Sequence, residues 1–366
     1  MSGTSVDAID SALIQRTTDN SVELLATHQH TIPPATKDRI AAISHTGPDE
    51  IERMGALDRE LGLLFADATM DLLAGANTGP HQVRAIGSHG QTIRHRPPSG
   101  ASSGSDCFTL QIGDPNTIAE ITGITTVADF RRRDIAAGGQ GAPLAPAFHV
   151  AAFAKPGVNR AIVNIGGIAN ASLLRGLELH MGFDTGPGNT LLDHWVMRHK
   201  HQPYDRDGQW SAEGRVIPEL LSRLLQHPYF SKSGPRSTGK EAFNLSWLDD
   251  CLNSESGNPG DVQATLAELT ATSIAQGIMN SQLQVEEVYI CGGGAHNTDL
   301  MRRLYRQLSP ASLDNTSAVG MNPDWVEAAT FAWLASQSLD GLAGNAPVVT
   351  GAAGARVLGG IYPGKR

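Results

Sequence analysis

Two stretches of the sequence combine side chains suited to catalysis or ligand binding with glycines that bring backbone amides close to a ligand. In the first, GFDTGPGNTLLD at 182–193, Asp184 stands before a Gly-Pro-Gly turn and an apolar run. This pattern indicates a general base or a magnesium ligand at a strand end, or else an Asx-turn in which the carboxylate only bonds its own loop. The spacing alone leaves these two interpretations equal.

The second stretch is GSHGQTIRH at 87–95, followed by QIGD at 111–114 and VADFRRRD at 127–134. Its Ser, His, Gln, Asp and Arg side chains are the paired donors and acceptors that a hydroxyl-rich, anionic ligand needs. For the three arginines the alternative is a salt-bridged surface turn, and for His89 it is a structural hydrogen bond. No His, Cys or Glu set has the spacing of a motif such as HExxH, which disfavours a tightly bound transition metal.

Four glycine-rich loops lie beside short apolar runs, at 2–5, 166–167, 186–189 and 292–294. Glycine lets a backbone approach phosphate closely and present its N–H groups, although tight turns use the same residue. None of the loops matches GxxxxGK[ST] or GxGxxG in a βαβ unit, so P-loop and Rossmann sites are excluded. Together the four loops predict a nucleotide site of another kind.

Hydrophobic periodicity predicts the helices and strands that carry these residues. Apolar residues in steps of three and four from Met54 to Leu72 predict a long amphipathic helix. Asp261 is the expected N-cap of another helix. Strands alternating with helices predict an α/β protein with largely parallel sheets. The expected strands lie at 83–87, 161–165, 171–174 and 287–291, and further helices at 299–308 and 324–339.

Composition limits the classes of protein that the chain can belong to. Its 366 residues predict two or three domains, with a change of domain near 128–133. The net charge of -9 disfavours nucleic-acid and anionic-membrane partners, which require a basic face. The absence of a long apolar run or a signal-peptide pattern predicts a cytoplasmic protein. Its three cysteines, far apart in the chain, are expected to be reduced.

Taken together, the motifs strongly resemble those of the anhydro-N-acetylmuramic acid kinase family of peptidoglycan recycling. The resemblance covers essentially the whole chain, and the arginine-rich block and GFDTGPGN are its most specific parts. The matching segments are MSGTSVDAID at 1–10, AIGSHGQTIRH at 85–95, QIGDP at 111–115, TVADFRRRDIAAGGQGAPLAPAFH at 126–149, NIGGIAN at 164–170, GFDTGPGN at 182–189, STGKEAFN at 237–244, CGGGAHN at 291–297 and the segment 325–334.

The resemblance implies an α/β fold of two actin-like, ribonuclease H-like domains flanking a cleft for ATP and substrate. Domain I is expected at 1–128 plus about 340–366, and domain II, with nucleotide-binding and dimer-forming elements, at 129–339. ATP, Mg²⁺ and a homodimer are implied as well. Family members usually have an apolar strand before the SGTS loop, so we expect that strand to be absent or shortened here. Ala8 stands where the family usually has glycine.

The resemblance also assigns roles to individual residues. It implies that Asp184 is the catalytic base and that Asp7 binds magnesium. The residues implied to bind the sugar are His89, Gln91, Thr92, Asp129, Arg131 and Glu327. Those implied to bind the nucleotide are Gly3, Thr4, Ser5, Val6, Asp7, Ala8, Ile9 and Asp10 in a first phosphate loop, with Asn164, Gly166, Gly167, Gly186, Gly188, Asn189, Gly292, Gly293 and Gly294.

The implied reaction is unusual because a 1,6-anhydro sugar has no free 6-hydroxyl. Water activated by Asp184 is expected to attack C1 while O6 leaves onto the γ-phosphorus of ATP, giving N-acetylmuramic acid 6-phosphate and ADP. Two alternatives stay open. One is a kinase that phosphorylates an open amino sugar, and the other is a non-catalytic sugar sensor with the same fold.

Overall fold

The computed structural model describes residues 1–3, 6–17, 21–98, 106–231, 242–252 and 257–365. These form two compact units, one of Met1–Ala152 with Trp325–Arg366 and one of Phe153–Asp324. The sequence predicts that the C-terminal segment belongs to the first unit, as the structure shows. The predicted boundaries are after residue 128 and at about residue 340, whereas the units of the structure divide after Ala152 and after Asp324. Residues 129–152 and 325–339 belong to the first unit. For the second range the reason is that the helix that follows Trp325 packs on strands of that unit.

The helices and strands follow one another in this order. The first unit contains β1 (Ala8–Arg16), β2 (Val22–Thr31), α1 (Pro34–Ile43), α2 (Glu50–Gly75), β3 (Ile86–Ser88), β4 (Gln91–Arg96), β5 (Phe108–Ile112), α3 (Pro115–Thr122), β6 (Thr126–Ala128), α4 (Arg132–Ala136) and α5 (Ala145–Phe153). The second unit continues with β7 (Asn159–Ile165), β8 (Ile168–Arg175), β9 (Glu178–Pro187), α6 (Thr190–Lys200), α7 (Gln209–Glu213), α8 (Pro218–Leu225), α9 (Leu245–Cys251), α10 (Pro259–Asn280), β10 (Glu287–Cys291), α11 (Thr298–Leu308) and β11 (Ser312–Asn315). The chain returns to the first unit with α12 (Val326–Leu339), α13 (Pro347–Thr350) and β12 (Gly360–Tyr362).

The long helix expected from the apolar steps is α2, with 26 residues. Its buried face includes Leu57, Leu61 and Leu72, and the first two pack in one core with Ile9 of β1. Each buried leucine contributes about 1.5–3 kcal/mol relative to an exposed one, so this face holds α2 on the β1–β2 hairpin. Within the described ranges, no helix is long and apolar enough to cross a lipid bilayer.

The described residues of the first unit form three small sheets. β1 pairs with β2 and β4 with β5, both antiparallel, while β3 pairs in parallel with β6, and β6 pairs antiparallel with β12. Helix α12 packs on both β1 and β3. At Gly87 this approach is so close that a Cβ would lie 1.9 Å from the Phe331 carbonyl oxygen, so β3 requires glycine there.

The second unit is built on one five-stranded sheet in the order β11-β10-β7-β8-β9. The β7–β8 and β8–β9 pairs are antiparallel, whereas β10 pairs in parallel with both β7 and β11. The antiparallel strands β7, β8 and β9 lie on one side of the sheet, and the parallel strands β10 and β11 extend it from the other edge of β7. This is the ribonuclease H-like strand order. The mixed α/β class is thus confirmed, but the expectation of largely parallel sheets is wrong, because consecutive strands here are joined by tight turns.

Helix α10 covers this sheet and contacts β8 and β9. Its expected N-cap was wrong by three residues. The helix begins at Pro259, and Asn258 caps it by accepting a hydrogen bond from the Asp261 amide. Asp261 lies inside the first turn, where its carboxylate suits the positive helix end and accepts a hydrogen bond from the Arg215 amide at 2.7 Å.

Candidate active site

Two of the glycine loops of the second unit lie side by side. Strands β7 and β10 are parallel, and Asn164 is the register partner of Cys291. The loops that follow, at 166–167 and 292–294, therefore leave the sheet at the same edge. Gly292 has φ +76°, and a Cβ there would lie 2.4 Å from the Asn164 Oδ1 atom. Only glycine fits this position.

The third loop is hydrogen-bonded to the first. The Gly188 amide donates to the Gly167 carbonyl at 2.9 Å, and the Asn189 amide donates to the Gly166 carbonyl at 2.8 Å. A Cβ at Gly188 would lie 2.3 Å from the Gly166 oxygen. The structure therefore brings all three predicted loops of this unit together, and their glycines allow the backbones to touch.

A cavity of about 500 Å³ is lined by two of these loops, through Asn189 and Gly293, by the start of α6 and by residues 204–207. Gly293 lines it, and a Cβ on Gly293 would meet only the Asn189 side chain, at 3.8 Å, so the Gly293 backbone is accessible. The volume is in the range of small-molecule sites, and accessible backbone amides suit phosphate groups. The polar lining includes Asp193, Asp205, Asp207, His296 and Asn297, which the sequence analysis did not assign.

Asp184 lies within β9, opposite Asn170 of β8, and not in a turn. The register steps from Ala169–Gly186 to Asn170–Asp184, so Thr185 is the extra residue of a β-bulge. Bulges re-aim neighbouring side chains and are frequent beside active sites. The Asp184 carbonyl accepts a hydrogen bond from the Tyr229 hydroxyl at 2.6 Å. The main chain that carries this carboxylate is therefore anchored to a second element.

In the first unit, parallel strands β3 and β6 bring His89 and Asp129 to neighbouring strand ends, because Ser88 and Ala128 are register partners. His89 is buried, and its Nε2 atom accepts a hydrogen bond from the Arg131 Nε atom at 3.0 Å. The Nδ1 atom then carries the proton and donates to the Gly90 carbonyl at 2.9 Å.

Burial, and then the charge of Arg131, holds the pKa of His89 well below its usual value. His89 is therefore a neutral acceptor that orients the Arg131 guanidinium. The structural hydrogen bond considered for His89 does form. It orients Arg131, which was itself predicted to bind the sugar.

Glu327 lies in the first turn of α12, as expected, and is accessible to solvent. Desolvation by the surrounding protein nevertheless raises the pKa of its carboxyl, while the Arg131 charge opposes this. One turn further along the same helix face is Phe331, whose ring centroid lies 4.5 Å from that of His89. The sequence analysis missed Phe331, because an aromatic residue in an apolar helix looks like ordinary core.

Two buried polar atoms in this region lack hydrogen-bond partners among the described residues, namely Ser88 Oγ and Gln91 Oε1. Such atoms are rare in proteins, because each costs about 1–3 kcal/mol unless a ligand or water satisfies it. Both lie within two residues of His89, where a polar ligand could satisfy them. Thr92 differs, since its hydroxyl accepts a hydrogen bond from Gln111 at 3.2 Å.

Asp129 and Arg132 form an ion pair, with oxygen–nitrogen distances of 2.8 and 2.7 Å. The salt-bridged turn considered for the arginine block therefore holds for Arg132 but not for Arg131, which faces His89. The carboxylate of Asp129 is already engaged by a protein cation. A sugar contact from this residue would have to share or displace that pair.

The first phosphate loop is shorter than expected. Ala8, Ile9 and Asp10 belong to β1, and the Ile9 side chain is fully buried in the core. Of the remaining residues, Gly3, Val6 and Asp7 precede the strand, and Thr4 and Ser5 lie outside the described residues. The Asp7 side chain is exposed. Carboxylate oxygen is a ligand that Mg²⁺ prefers, so the donor chemistry of Asp7 fits that ion.

The second unit is ribonuclease H-like and has glycine loops beside a cavity. The first unit has a half-buried Arg131 hydrogen-bonded to the buried His89, close in sequence to polar atoms that have no partner among the described residues. Together these features define a nucleotide-dependent enzyme for a small polar substrate. Comparison with known proteins makes this class specific. The model of the family described as "Anhydro-N-acetylmuramic acid kinase" matches residues 1–364, and the chain belongs to this family.

Relatives with the same description are similar to this chain over nearly its full length and theirs. The protein of Coxiella burnetii (strain RSA 493 / Nine Mile phase I) is 50% identical over 368 residues, covering 100% of this chain and 97% of its own. That of Pseudomonas putida (strain KT2440) is 50% identical over 364 residues, covering 99% and 98%. The chain is thus a kinase of cell-wall recycling.

Proposed function

We propose that the chain uses ATP and water to open 1,6-anhydro-N-acetylmuramic acid, giving N-acetylmuramic acid 6-phosphate and ADP. The observation that carries the proposal is the position of Asp184 in β9, the strand that runs directly into the interlocked glycine loops. A carboxylate so close in sequence to backbone amides that suit phosphate can act on a water molecule while those amides bind the nucleotide.

The atoms balance in a single concerted displacement. Asp184 takes a proton from water, the water oxygen bonds to C1, and the C1–O6 bond breaks. The released O6 bonds to the γ-phosphorus as the bond to the ADP oxygen breaks. Transfer of phosphorus to O6 takes the place of protonating it, so no second carboxylate is needed as a general acid, unlike in ordinary glycosidases.

The nucleotide is proposed to lie along the loops at 166–167, 186–189 and 292–294, with its nucleoside in the adjoining cavity. The open backbone at Gly293 supports this. Asp7 is the proposed magnesium ligand, and Mg²⁺ would neutralise charge on the transferred phosphoryl group. We further propose a homodimer in the cytoplasm, where ATP is available.

Arg131 is the proposed partner of the lactyl carboxylate of the sugar. Its Nε and Nη1 atoms donate to His89 and to the Gly141 carbonyl, at 3.0 and 2.8 Å. The Nη2 hydrogens have no acceptor among the described residues, so they are available to a carboxylate. Arg132, by contrast, is committed to Asp129.

The test is to incubate the protein with ATP, Mg²⁺ and the anhydro sugar in ¹⁸O-labelled water. We expect ADP and a 6-phosphosugar that carries one labelled oxygen at C1. Turnover of open N-acetylmuramic acid without label would instead indicate a kinase of an open sugar, and sugar binding without ADP formation would indicate a sensor. Arg131→Lys should raise the KM for the sugar about 10–100-fold, from the loss of charged hydrogen bonds, while the exposed Arg133→Lys serves as its matched control.

A further inference from the structure

A cluster of two histidines and one aspartate lies in the first unit, among residues to which the proposed reaction assigns no role. His28 and His30 are two positions apart on β2, so their side chains lie on the same face of the strand. Asp71 belongs to α2, which packs against β2. One nitrogen of each imidazole and one oxygen of the carboxylate lie within 4.8 Å of one another.

The distances suit a single shared ion. Asp71 Oδ2 is 3.0 Å from His30 Nδ1 and 3.6 Å from His28 Nε2. Bonds of about 2.0–2.2 Å from a tetrahedral ion to nitrogen and oxygen place its ligand atoms about 3.3 Å apart. The three side chains therefore need only small movements to hold one ion between them.

A second observation points to a ligand in the same place. The Nε2 atom of His28 is shielded from solvent and has no hydrogen-bond partner among the described residues. A single oxygen of Asp71 stands near both rings, but it lies within hydrogen-bond distance of His30 only. The unsatisfied nitrogen is the kind of atom that a metal ion would engage.

We propose that His28, His30 and Asp71 bind a divalent transition metal ion, Zn²⁺ in first place. Two imidazole nitrogens and one carboxylate oxygen suit Zn²⁺, Co²⁺ or Ni²⁺ better than Mg²⁺. The ion would tie α2 to β2. Because His30 and His28 are the register partners of Ile9 and Ser11, it would also brace the hairpin that begins just after the N-terminal loop.

The proposed site stabilises the first unit and takes no part in the chemistry. The absence of a contiguous ligand motif disfavours a tightly bound transition metal in the sequence analysis, and the proposed site needs no such motif. The third ligand is 41 positions from His30, and only the packing of α2 on β2 brings it near.

The test uses the metal-free full chain and Zn²⁺ alone, without nucleotide or sugar. Isothermal titration should show one site, and Zn²⁺ should raise the melting temperature. His28→Gln, His30→Gln and Asp71→Asn should each weaken Zn²⁺ binding at least tenfold and abolish the rise in melting temperature. Even residues that only hydrogen-bond to metal ligands change metal affinity about 10–100-fold when they are replaced. His45→Gln, which removes an exposed histidine outside the cluster, is the matched control and should bind as wild type.

Co²⁺ gives an independent readout, because its visible absorption reports the ligands directly. The wild type and His45→Gln should show the intense bands of a four-coordinate nitrogen–oxygen site, and the three cluster variants should not. Circular dichroism checks that each variant is folded. No Zn²⁺ binding by the wild type, or equal binding by Asp71→Asn and wild type, would overturn the three-ligand site.

Discussion

Replacing Asp184 with asparagine tests the assignment of the base most directly. The amide has the same shape but cannot accept a proton from water. Loss of a general base costs about 10²–10⁴ in rate, which corresponds to about 2.7–5.4 kcal/mol of barrier at 1.36 kcal/mol per decade. The fold should be spared, because the main-chain anchors of this residue are its carbonyl bond to Tyr229 and its pairing with Asn170, which do not use the carboxylate. Urea unfolding of the variant checks that the fold is retained.

The assay is initial-rate ADP release at saturating ATP and anhydro sugar, with binding of each measured separately by calorimetry. We expect kcat to fall by the stated factor while both dissociation constants stay within about threefold. Asp249→Asn is the matched control, since Asp249 is an exposed carboxylate of the same unit, paired with Arg198 at 2.6 Å. Should Asp184→Asn keep more than half of the wild-type kcat, water activation by this residue is refuted.

Three further predictions concern stereochemistry, packing and pH. The 1,6-bridge blocks one face of C1, so water activated by Asp184 must invert that centre, and rapid NMR should detect the α-anomer first; a β-anomer formed first would recast Asp184 as a nucleophile. Gly87→Ala should lower the free energy of unfolding by at least about 1–3 kcal/mol in urea titrations, because its Cβ would meet the Phe331 carbonyl. Gly55→Ala, whose Cβ would have no atom within 4 Å, should raise the free energy of unfolding by about 0.5–1 kcal/mol. Equal effects of the two substitutions would contradict the close packing of α12 on β3. Burial lowers the pKa of His149 to about 3, so the unfolded chain binds a proton that the folded chain does not below about pH 6.5. The free energy of unfolding should therefore fall on acidification. His149→Gln should reduce this dependence by about 1.2 kcal/mol between pH 6 and pH 5, measured by urea unfolding, and an unchanged dependence would contradict the lowered pKa of His149.

Much of the local structure could be predicted from the chain because it depends on local rules. Apolar steps of three and four define a helix face within one segment, and α2 follows them. The glycine pair at 166–167 predicts the tight turn that joins β7 and β8. Whether neighbouring strands pair in parallel or antiparallel could not be predicted from these local rules. Alternating strands and helices favour parallel pairing, yet the hairpins β7–β8 and β8–β9 make the sheet mixed.

The same distinction between local and long-range determinants applies to the residues of the site. Asp184, His89, Arg131 and the glycine loops stand out by residue type and spacing, because chemistry needs these groups wherever the chain places them. What lies next to each group depends on contacts between residues far apart in the chain. The sequence therefore cannot tell that Arg131 faces His89 while Arg132 pairs with Asp129.

Contiguous motifs carry the family, the candidate base and the loops suited to a nucleotide, so these could be predicted from the amino-acid sequence. The folded structure was needed to show that Phe331 packs on His89, that Ser88 and Gln91 have polar atoms with no partner among the described residues, and that Asp71 lies beside two histidines of β2. The physical reason is that packing a helix against a strand fixes distances between side chains dozens of residues apart. No periodicity within either segment encodes those distances.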